Sequence, residues 1–419
     1  MLSEISAIVY HATKIVQIFI FISNLYFFCI SIFGFIKRKE NTSFYPPQKR
    51  FALVTAAHNE EKVIGHIIDS LANLNYPRNM YDIIIVADNC TDRTAEIARK
   101  KNAIVFERYD GVNRGKGYAL DWVFKKLLNR DNRYDAVCVF DADNLVTQDF
   151  LIHMNQKLCE GHKVIQGYVD SKNPFDSWIS CSYSIAFWIS NRLFQLPRYY
   201  LGLSCGLCGT GFCIDVDLLK EIGWGTSSLT EDLEFTMKLA LNNYKVAWAH
   251  EAVVYDEKPL TLKQSWKQRK RWMQGHADCA GRYLIPLFSK AFREASFTAF
   301  DCGVYLFQPI SFIFLGFGML LMWFQTVFPE SPIYTLKYMF PPVVWYIIVF
   351  IQSMYGPLTL LLEKRLSLKV ICGFITFPLY CLTWVPIAIQ GLLSKGNKNW
   401  YHTPHTRSIS LEELKKAGV

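Results

Sequence analysis

Ala136-Val-Cys-Val-Phe-Asp-Ala-Asp-Asn144 decides how this chain is read. Five consecutive apolar residues have the length and composition of a strand buried on both faces. The run stops on two carboxylates one residue apart, Asp141 and Asp143. Ligands of open parallel sheets bind in the crevice outside the carboxyl ends of the strands. The same nine residues therefore predict both a sheet and a site at its rim.

Working outward, Phe51-Ala-Leu-Val-Thr55 reads as a second buried strand, followed by a helix from Glu61 to Leu74. Tyr81-Asp-Ile-Ile-Ile-Val86 is a third strand and runs into Asp88. Asp92 suits the cap of a helix through Ile97 to Lys101, and Ala103-Ile-Val-Phe106 is a fourth strand. This alternation, continued to about Val254, predicts βαβ units and a mainly parallel sheet. His58-Asn59-Glu60, Asp88 and Asp141-Ala-Asp143 each fall just past a strand end. Three strands thus aim acid or amide groups at one rim.

The flanks are apolar. Ile15 to Ile36 has about the length that a bilayer core needs, with Lys14 before it and Lys37-Arg38-Lys39 after it. It lacks the short apolar stretch and small-residue cleavage site of a signal peptide, so it reads as a retained span. The positive flank predicts a cytoplasmic domain next. Pro46-Pro47 break the linker from Asn41 to Lys49. Phe175 to Leu196 carries Trp178, Phe187, Trp188 and Phe194 and reads as a helix on the membrane surface or in the core. Thr298 to Phe328, Pro342 to Leu362 and Val370 to Leu393 are further spans, and Lys364, Arg365 and Lys369 mark a cytoplasmic turn. Counting spans would leave the tail outside, yet Lys395, Lys398, Arg407, Lys415 and Lys416 favour the inside. Pro378 and Pro386 resolve this if Val370 to Leu393 is a broken pair of half-helices that returns to the cytoplasm. The expected division is an N-terminal span over 1–40, a cytoplasmic domain over 47–290, membrane or re-entrant helices over 291–395, and a cytoplasmic tail over 396–419.

Composition agrees with a membrane enzyme. The chain has 419 residues, enough for a catalytic domain beside a membrane domain, and aromatics make up 15% of it. Mean hydropathy is +0.12, high for a soluble enzyme. The net charge of +9 clusters beside apolar segments, so no nucleic acid is expected as a partner. The twelve cysteines are scattered, several within apolar runs, which suits a reducing compartment. Cys205-Gly-Leu-Cys208 lacks a second Cys/His pair at zinc-ligand spacing, so no zinc site is expected there.

Each acidic or basic string has a chemical and a plain reading. Asp141 and Asp143 suit a hard divalent cation, Mg²⁺ or Mn²⁺, that neutralises a diphosphate; they are equally a simple strand end. Asp88 with Asn89 and Thr91 is a receptor for ribose and base or a helix cap. Arg114-Gly-Lys-Gly117 opens a helix, where backbone N–H groups and basic side chains attract anions. Glu231 and Asp232, after Thr230, are a general base or capping carboxylates. Gln268, Arg271, Trp272 and Gly275 share one helical face. Arginine forks onto phosphate oxygens, and an indole offers a flat face to a sugar. Arg269 and Lys270 read as contacts of a juxtamembrane helix to anionic lipid.

Taken together, Asp88, Asp141-Ala-Asp143, Thr230-Glu-Asp232 and Gln268-Arg-Lys-Arg-Trp272 resemble the processive, membrane-embedded family 2 glycosyltransferases. That family includes synthases of cellulose, hyaluronan, chitin and poly-N-acetylglucosamine. The resemblance covers residues 50 to 280, with spans on both sides. It implies an α/β catalytic domain of GT-A type joined to transmembrane helices, an inverting mechanism and a metal-bound UDP-sugar. By motif, Asp88 would bind uridine, and Asp141 and Asp143 the diphosphate and metal, with Asp143 favoured for the metal. Gln268 and Arg271 would hold the diphosphate, with Glu60 and Lys116 counted in the same nucleotide-sugar site. Asp232, beside Glu231, would be the base, and Trp272 would stack on the acceptor's terminal sugar. Cys208-Gly209-Thr-Gly211 stands where the family shapes its acceptor pocket, although its wording differs from the cellulose-type Phe-Phe-Cys-Gly-Ser. The tail Trp400-Tyr-His-Thr-Pro-His-Thr-Arg407 resembles cytoplasmic tails that reach the nucleotide, and no cyclic-dinucleotide-binding domain is expected after it.

The expected function is a plasma-membrane synthase, catalytic domain in the cytoplasm, that builds a polysaccharide from a UDP-sugar and exports it through its own spans. UDP-glucose and a β-glucan come first; UDP-N-acetylglucosamine, with a chitin, hyaluronan or poly-N-acetylglucosamine product, is the alternative. Transfer of one sugar to a lipid is the other enzymatic reading. A catalytically dead scaffold is disfavoured because every acidic site residue is present, and a transporter because the apolar runs lack buried charges. Nothing in the sequence fixes the oligomeric state.

Overall fold

A computed structural model describes residues 2–36, 44–129, 133–396, 407 and 409–416. The charges Lys37 to Lys39, part of the proline linker, Lys398 and Trp400 to Thr406 lie outside the described residues.

The chain opens with α1 (Leu2–Ser31). The catalytic half then runs β1 (Phe51–Ala57), α2 (Ile64–Ala72), β2 (Tyr81–Asp88), α3 (Thr94–Lys100), β3 (Ile104–Arg108), α4 (Lys116–Leu128) and β4 (Ala136–Asp141). It continues through β5 (Leu145–Val146), α5 (Phe150–Cys159), β6 (Val164–Ser171), α6 (Trp178–Ser190), α7 (Leu196–Tyr200), β7 (Phe212–Asp215), α8 (Val216–Ile222), α9 (Glu231–Leu241) and β8 (Val246–Asp256). After it come α10 (Leu262–Arg293), α11 (Phe297–Leu306), α12 (Gln308–Val327), α13 (Pro342–Leu362), α14 (Leu368–Leu382), α15 (Trp384–Leu393) and α16 (Leu411–Lys416).

Among the described residues eight strands form one sheet in the order β3-β2-β1-β4-β7-β6-β8-β5. The first four strands are parallel neighbours, as the alternating sequence predicts. Beyond them β7 runs antiparallel to both β4 and β6, and β5 antiparallel to β8, so the sheet as a whole is mixed. β6 and β8 pair in parallel, and the double reversal through β7 gives them the direction of β4. Their carboxyl ends therefore join the same rim as Asp88 and Asp141. The strand of the opening motif is apolar throughout because successive side chains point to opposite faces. Val137 and Val139 pack with Leu120, Val123 and Phe124 of α4. Ala136, Cys138 and Phe140 pack with Ile64, Ile67 and Leu71 of α2 on the other side.

Among the described residues four helical stretches are long and apolar enough to cross a membrane: Glu4–Phe35, Gln308–Val327, Pro342–Leu362 and Leu368–Leu393. The expected span Thr298 to Phe328 is in fact two helices. Pro309 has no N–H for the carbonyl of Tyr305, and the chain breaks there. That carbonyl instead meets Nε2 of His276 at 3.0 Å. α11 packs through Cys302 and Leu306 on Leu287 of α10, which leaves α12 as the span. The segment Phe175 to Leu196 is helical, as expected, and packs on both the sheet and α14. Trp188 of α6 is buried against β6 through its Nε1 bond to Asp170 (2.7 Å), while Cys181 and Ile185 touch Gly373 of α14.

Charged groups fasten the two halves. Arg365, expected to mark a cytoplasmic turn, is paired with buried Asp170. Its neighbour Glu363 accepts from Tyr168 (2.9 Å) and Arg192 (3.2 Å). Deeper, Arg198 of α7 grips Asp301 of α11 with two bonds of 2.8 and 3.0 Å, and Tyr26 of α1 donates to the same carboxylate at 2.8 Å.

Removing one partner from a buried ion pair costs about 3–5 kcal/mol, because the other charge is left without compensation. Arg198→Met in detergent should therefore melt well below the native protein, and adding Asp301→Leu should regain part of the loss. An unchanged melting temperature in the single variant would show that the pair does not hold α7 to α11.

Candidate active site

Lys116 is the first side chain of α4, and Gly115 before it adopts φ +115°, a backbone closed to other residues. Its ammonium donates to the Asp141 carboxylate at the end of β4 and to the Gly209 carbonyl (2.7 Å). Gly209 has φ +80°, and a Cβ there would stand 3.4 Å from Oδ2 of Asp232. A Cβ on Gly117 would meet Glu231 Cβ at 3.2 Å. Gly117 thus lets the starts of α4 and α9 approach, Gly209 lets its loop lie against Asp232, and five expected residues converge: Lys116, Asp141, Gly209, Glu231 and Asp232.

Electrostatics tie this group together. Burial alone would lower the pKa of Lys116, but Asp141, Glu231 and Asp232 outweigh it and hold the ammonium charged. Asp232 is pushed up to about 7, first by burial and then by Glu231; the Leu233 N–H, Lys116 and Arg271 oppose the rise. Such a carboxylate is tuned to exchange protons near neutral pH. Cys208 is pushed up to about 12 by burial and by Asp232, so it stays a thiol beside that carboxyl.

The turn after β4 is built by hydrogen bonds. The Asp141 amide donates to Asn144 Oδ1 (3.0 Å) and Thr210 Oγ1 (3.1 Å). Asp143 is buried; its carboxylate accepts from the Glu257 amide at 2.8 Å and its carbonyl from Lys172 at 2.6 Å. Among the described residues no three His, Cys, Asp or Glu side chains gather as a ready-made metal cage. Two hard carboxylates on one turn are nevertheless the kind of donor set that Mg²⁺ or Mn²⁺ shares with substrate phosphates.

Asp88 ends β2 in register with Arg108 of β3, which donates to it at 2.6 Å. Burial raises the Asp88 pKa despite that bond. His58 Nδ1 meets the Asp88 carbonyl at 2.7 Å, and Glu60, buried, opens the turn into α2 by accepting from the amides of Val63 and Ile64. On α10, Gln268 accepts from Tyr183 at 3.0 Å. Arg271 donates to the Leu229 carbonyl at 3.0 Å, just before the acids of α9. Trp272 lies edge-on to Tyr183 and stacks with Trp384 across 6.5 Å.

Arg269 corrects the lipid-facing expectation. It is fully buried, with its guanidinium 4.3 Å from the Tyr380 ring and 4.9 Å from the Trp384 ring. α14 and α15 cover this face of α10, so aromatic faces rather than lipid headgroups receive the charge. Arg108, Tyr183, Lys172, Asp256 and Lys258 were not singled out from the sequence. The last two were recoverable, because Tyr255-Asp-Glu-Lys258 ends an apolar strand in acid as Asp88 and Asp141 do. From the tail, the Arg407 amide reaches Glu257 at 3.0 Å and its guanidinium pairs with Asp176.

Comparison with known proteins places this geometry. The model of the family described as Glycosyltransferase like family 2 matches residues 46–275. A beta-monoglucosyldiacylglycerol synthase of Nostoc sp. is 30% identical over 237 residues, 54% of this chain and 48% of that protein, so the chain spans about half of that relative. A poly-beta-1,6-N-acetyl-D-glucosamine synthase of Staphylococcus epidermidis is 24% identical over 379 residues, 88% of each chain. Among solved structures, the mannosyltransferase PcManGT from Pyrobaculum calidifontis, in complex with GDP-Man and Mn²⁺, superposes with a TM-score of 0.55 at 15% identity. It covers 94% of this chain and 99% of its own, a likeness of fold that extends to the helical part. With its GT-A-like mixed sheet and apolar helices, the chain belongs to Glycosyltransferase like family 2.

Proposed function

We propose that this protein is a processive, inverting glycosyltransferase that adds hexose from a UDP-sugar to a growing β-linked polysaccharide. The observation that carries this reading is the convergence of Asp141, Gly209, Glu231 and Asp232 on Lys116, with Arg271 beside Asp232. A diphosphate held by Asp141, Asp143, Gln268 and Arg271 would present the anomeric carbon to an acceptor hydroxyl. Asp232 takes the proton of that hydroxyl as its oxygen bonds to C1 and the bond from C1 to the UDP oxygen breaks. Base catalysis of this kind supplies roughly 10²–10⁴-fold in rate. Asp88 and Arg108 would receive the uridine, and Trp272 would stack on the acceptor's end. A bound Mg²⁺ or Mn²⁺, held by Asp141 and Asp143, would neutralise the leaving diphosphate.

UDP-glucose and a β-glucan are the first choice of donor and product. Similarity over 88% of both chains to a poly-beta-1,6-N-acetyl-D-glucosamine synthase supports UDP-N-acetylglucosamine as the alternative, and the Nostoc relative supports transfer to a lipid. Packing supports a return of the chain to the side of the catalytic domain, which the positive flanks assign to the cytoplasm. Three points along α14 and α15 pack on helices of the catalytic side: Gly373 on Cys181, Tyr380 on Tyr183, and Gly391 on Met273. Arg407 then returns to Glu257. A broken pair that starts and ends on one side explains all four contacts.

Purified protein incubated with each radiolabelled UDP-sugar and Mg²⁺ or Mn²⁺ tests the proposal. High-molecular-weight product is expected with UDP-glucose, and product only with UDP-N-acetylglucosamine would move the assignment to that donor. Label confined to small lipid-soluble material would overturn the processive reading.

Asp232→Asn should lower incorporation by roughly 10²–10⁴-fold while UDP binds with native affinity; full activity would remove Asp232 from the mechanism. The pH profile follows from the raised pKa. The base acts only as carboxylate, so the rate should fall as pH drops through about 7. A rate unchanged between neutral pH and pH 5 would show that no group of this kind is the base.

A further inference from the structure

A third acid-ended strand lies on the rim and has no role so far. β8 closes with Asp256, beside the Asp141–Asn144 turn, because the Glu257 amide is bonded to Asp143. The next residue, Lys258, is 2% exposed. Asn173 pins its backbone from both sides: Oδ1 accepts the Lys258 amide and Nδ2 donates to its carbonyl, each at 2.8 Å. Its ammonium lies 2.6 Å from Asp256 Oδ1 and 3.3 Å from the Phe187 ring centre. The ion pair is close but off-axis, and neither Lys258 Nζ nor Asp256 Oδ1 has a well-directed hydrogen bond. Buried polar atoms in that condition are costly unless something completes them.

Their location says what could. On one side, the charges of Asp143 and Asp141 act on Asp256. On the other, Lys258 and Asp256 act on Cys208, which also feels Asp232. The Glu257 amide on Asp143 sets Asp256 beside the proposed diphosphate acids, and Gly209, next to Cys208, faces Asp232, so a hexose bound as proposed would lie across this interval. We infer that Asp256 and Lys258 bind the ring substituents of the donor hexose, Asp256 accepting from hydroxyls and Lys258 donating to a hydroxyl or amide oxygen, and so select which UDP-hexose is used. The inference rests on the proposed UDP-hexose donor. A site built to hydrogen-bond a substituent discriminates strongly against a donor that lacks it.

The test compares kcat/KM for UDP-glucose, UDP-galactose and UDP-N-acetylglucosamine in the full chain, with the Ki of UDP as a control. Asp256→Asn and Lys258→Met should change the ratio between donors at least tenfold and leave the Ki of UDP within twofold. Asp256→Glu and Lys258→Arg keep the charges and alter the reach, and should also shift the ratio if the neutral variants fail to fold. An equal fall for every donor, or a parallel rise in the Ki of UDP, would overturn the inference and leave the pair a structural one. Native protein that turns over no UDP-hexose would overturn the proposed function itself, and this inference with it.

Discussion

One half-buried ammonium governs the site. Asp141 arrives from β4, and Glu231 and Asp232 from α9, so three carboxylates share a small partly buried volume. Without a cation among them, burial and mutual repulsion would drive protons onto them. Lys116 supplies that charge while its bond to the Gly209 carbonyl fixes the loop facing Asp232. The balance is incomplete by construction, because Asp232 still stands far above an ordinary carboxylate. A group that must gain and lose a proton in each cycle needs that condition. The same constraint accounts for Gly115, Gly117 and Gly209, each of which stands where the backbone or a Cβ would otherwise keep the elements apart.

The catalytic sheet is not merely tethered to the apolar helices. Asp170 at the end of β6 holds Arg365, and Glu363 collects Tyr168 and Arg192. Arg198 and Tyr26 meet on Asp301, which joins α1, α7 and α11. α10 carries Gln268, Arg271 and Trp272 on one face and presses Arg269 against Tyr380 and Trp384 on another. Movement of α14 and α15 would therefore be felt at Trp272 through Trp384 and Tyr183. The acceptor's proposed stacking surface and the broken helix pair are one packed unit.

Much of this was legible in residue order. Strands buried on both faces announce themselves as unbroken apolar runs, so β1, β2 and β4 and the polar groups at their ends could be read directly, and the half-buried β3 by its short apolar run. The later strands could not. β7 is four residues long and reverses direction, and β5 has two residues, too few for any periodicity. Thr298 to Phe328 looked continuous because hydropathy does not register the missing N–H of Pro309. Arg269 looked like a lipid contact because charge beside an apolar segment has that meaning until another helix covers it. Arg108 was hidden because its importance comes from strand register. The meeting of Lys116 and Asp141 with Glu231 and Asp232 joins segments far apart in the chain, which no local spacing reveals.

The central claim is that this cleft holds a nucleotide diphosphate between the acids after β4 and the basic face of α10. A structure of the full chain with UDP and Mn²⁺ tests it most directly. The diphosphate is expected between Asp141 and Asp143 on one side and Gln268 and Arg271 on the other, with uridine beside Asp88. Nucleotide bound elsewhere, or a diphosphate out of reach of Asp141, Asp143 and Arg271 alike, would contradict the account.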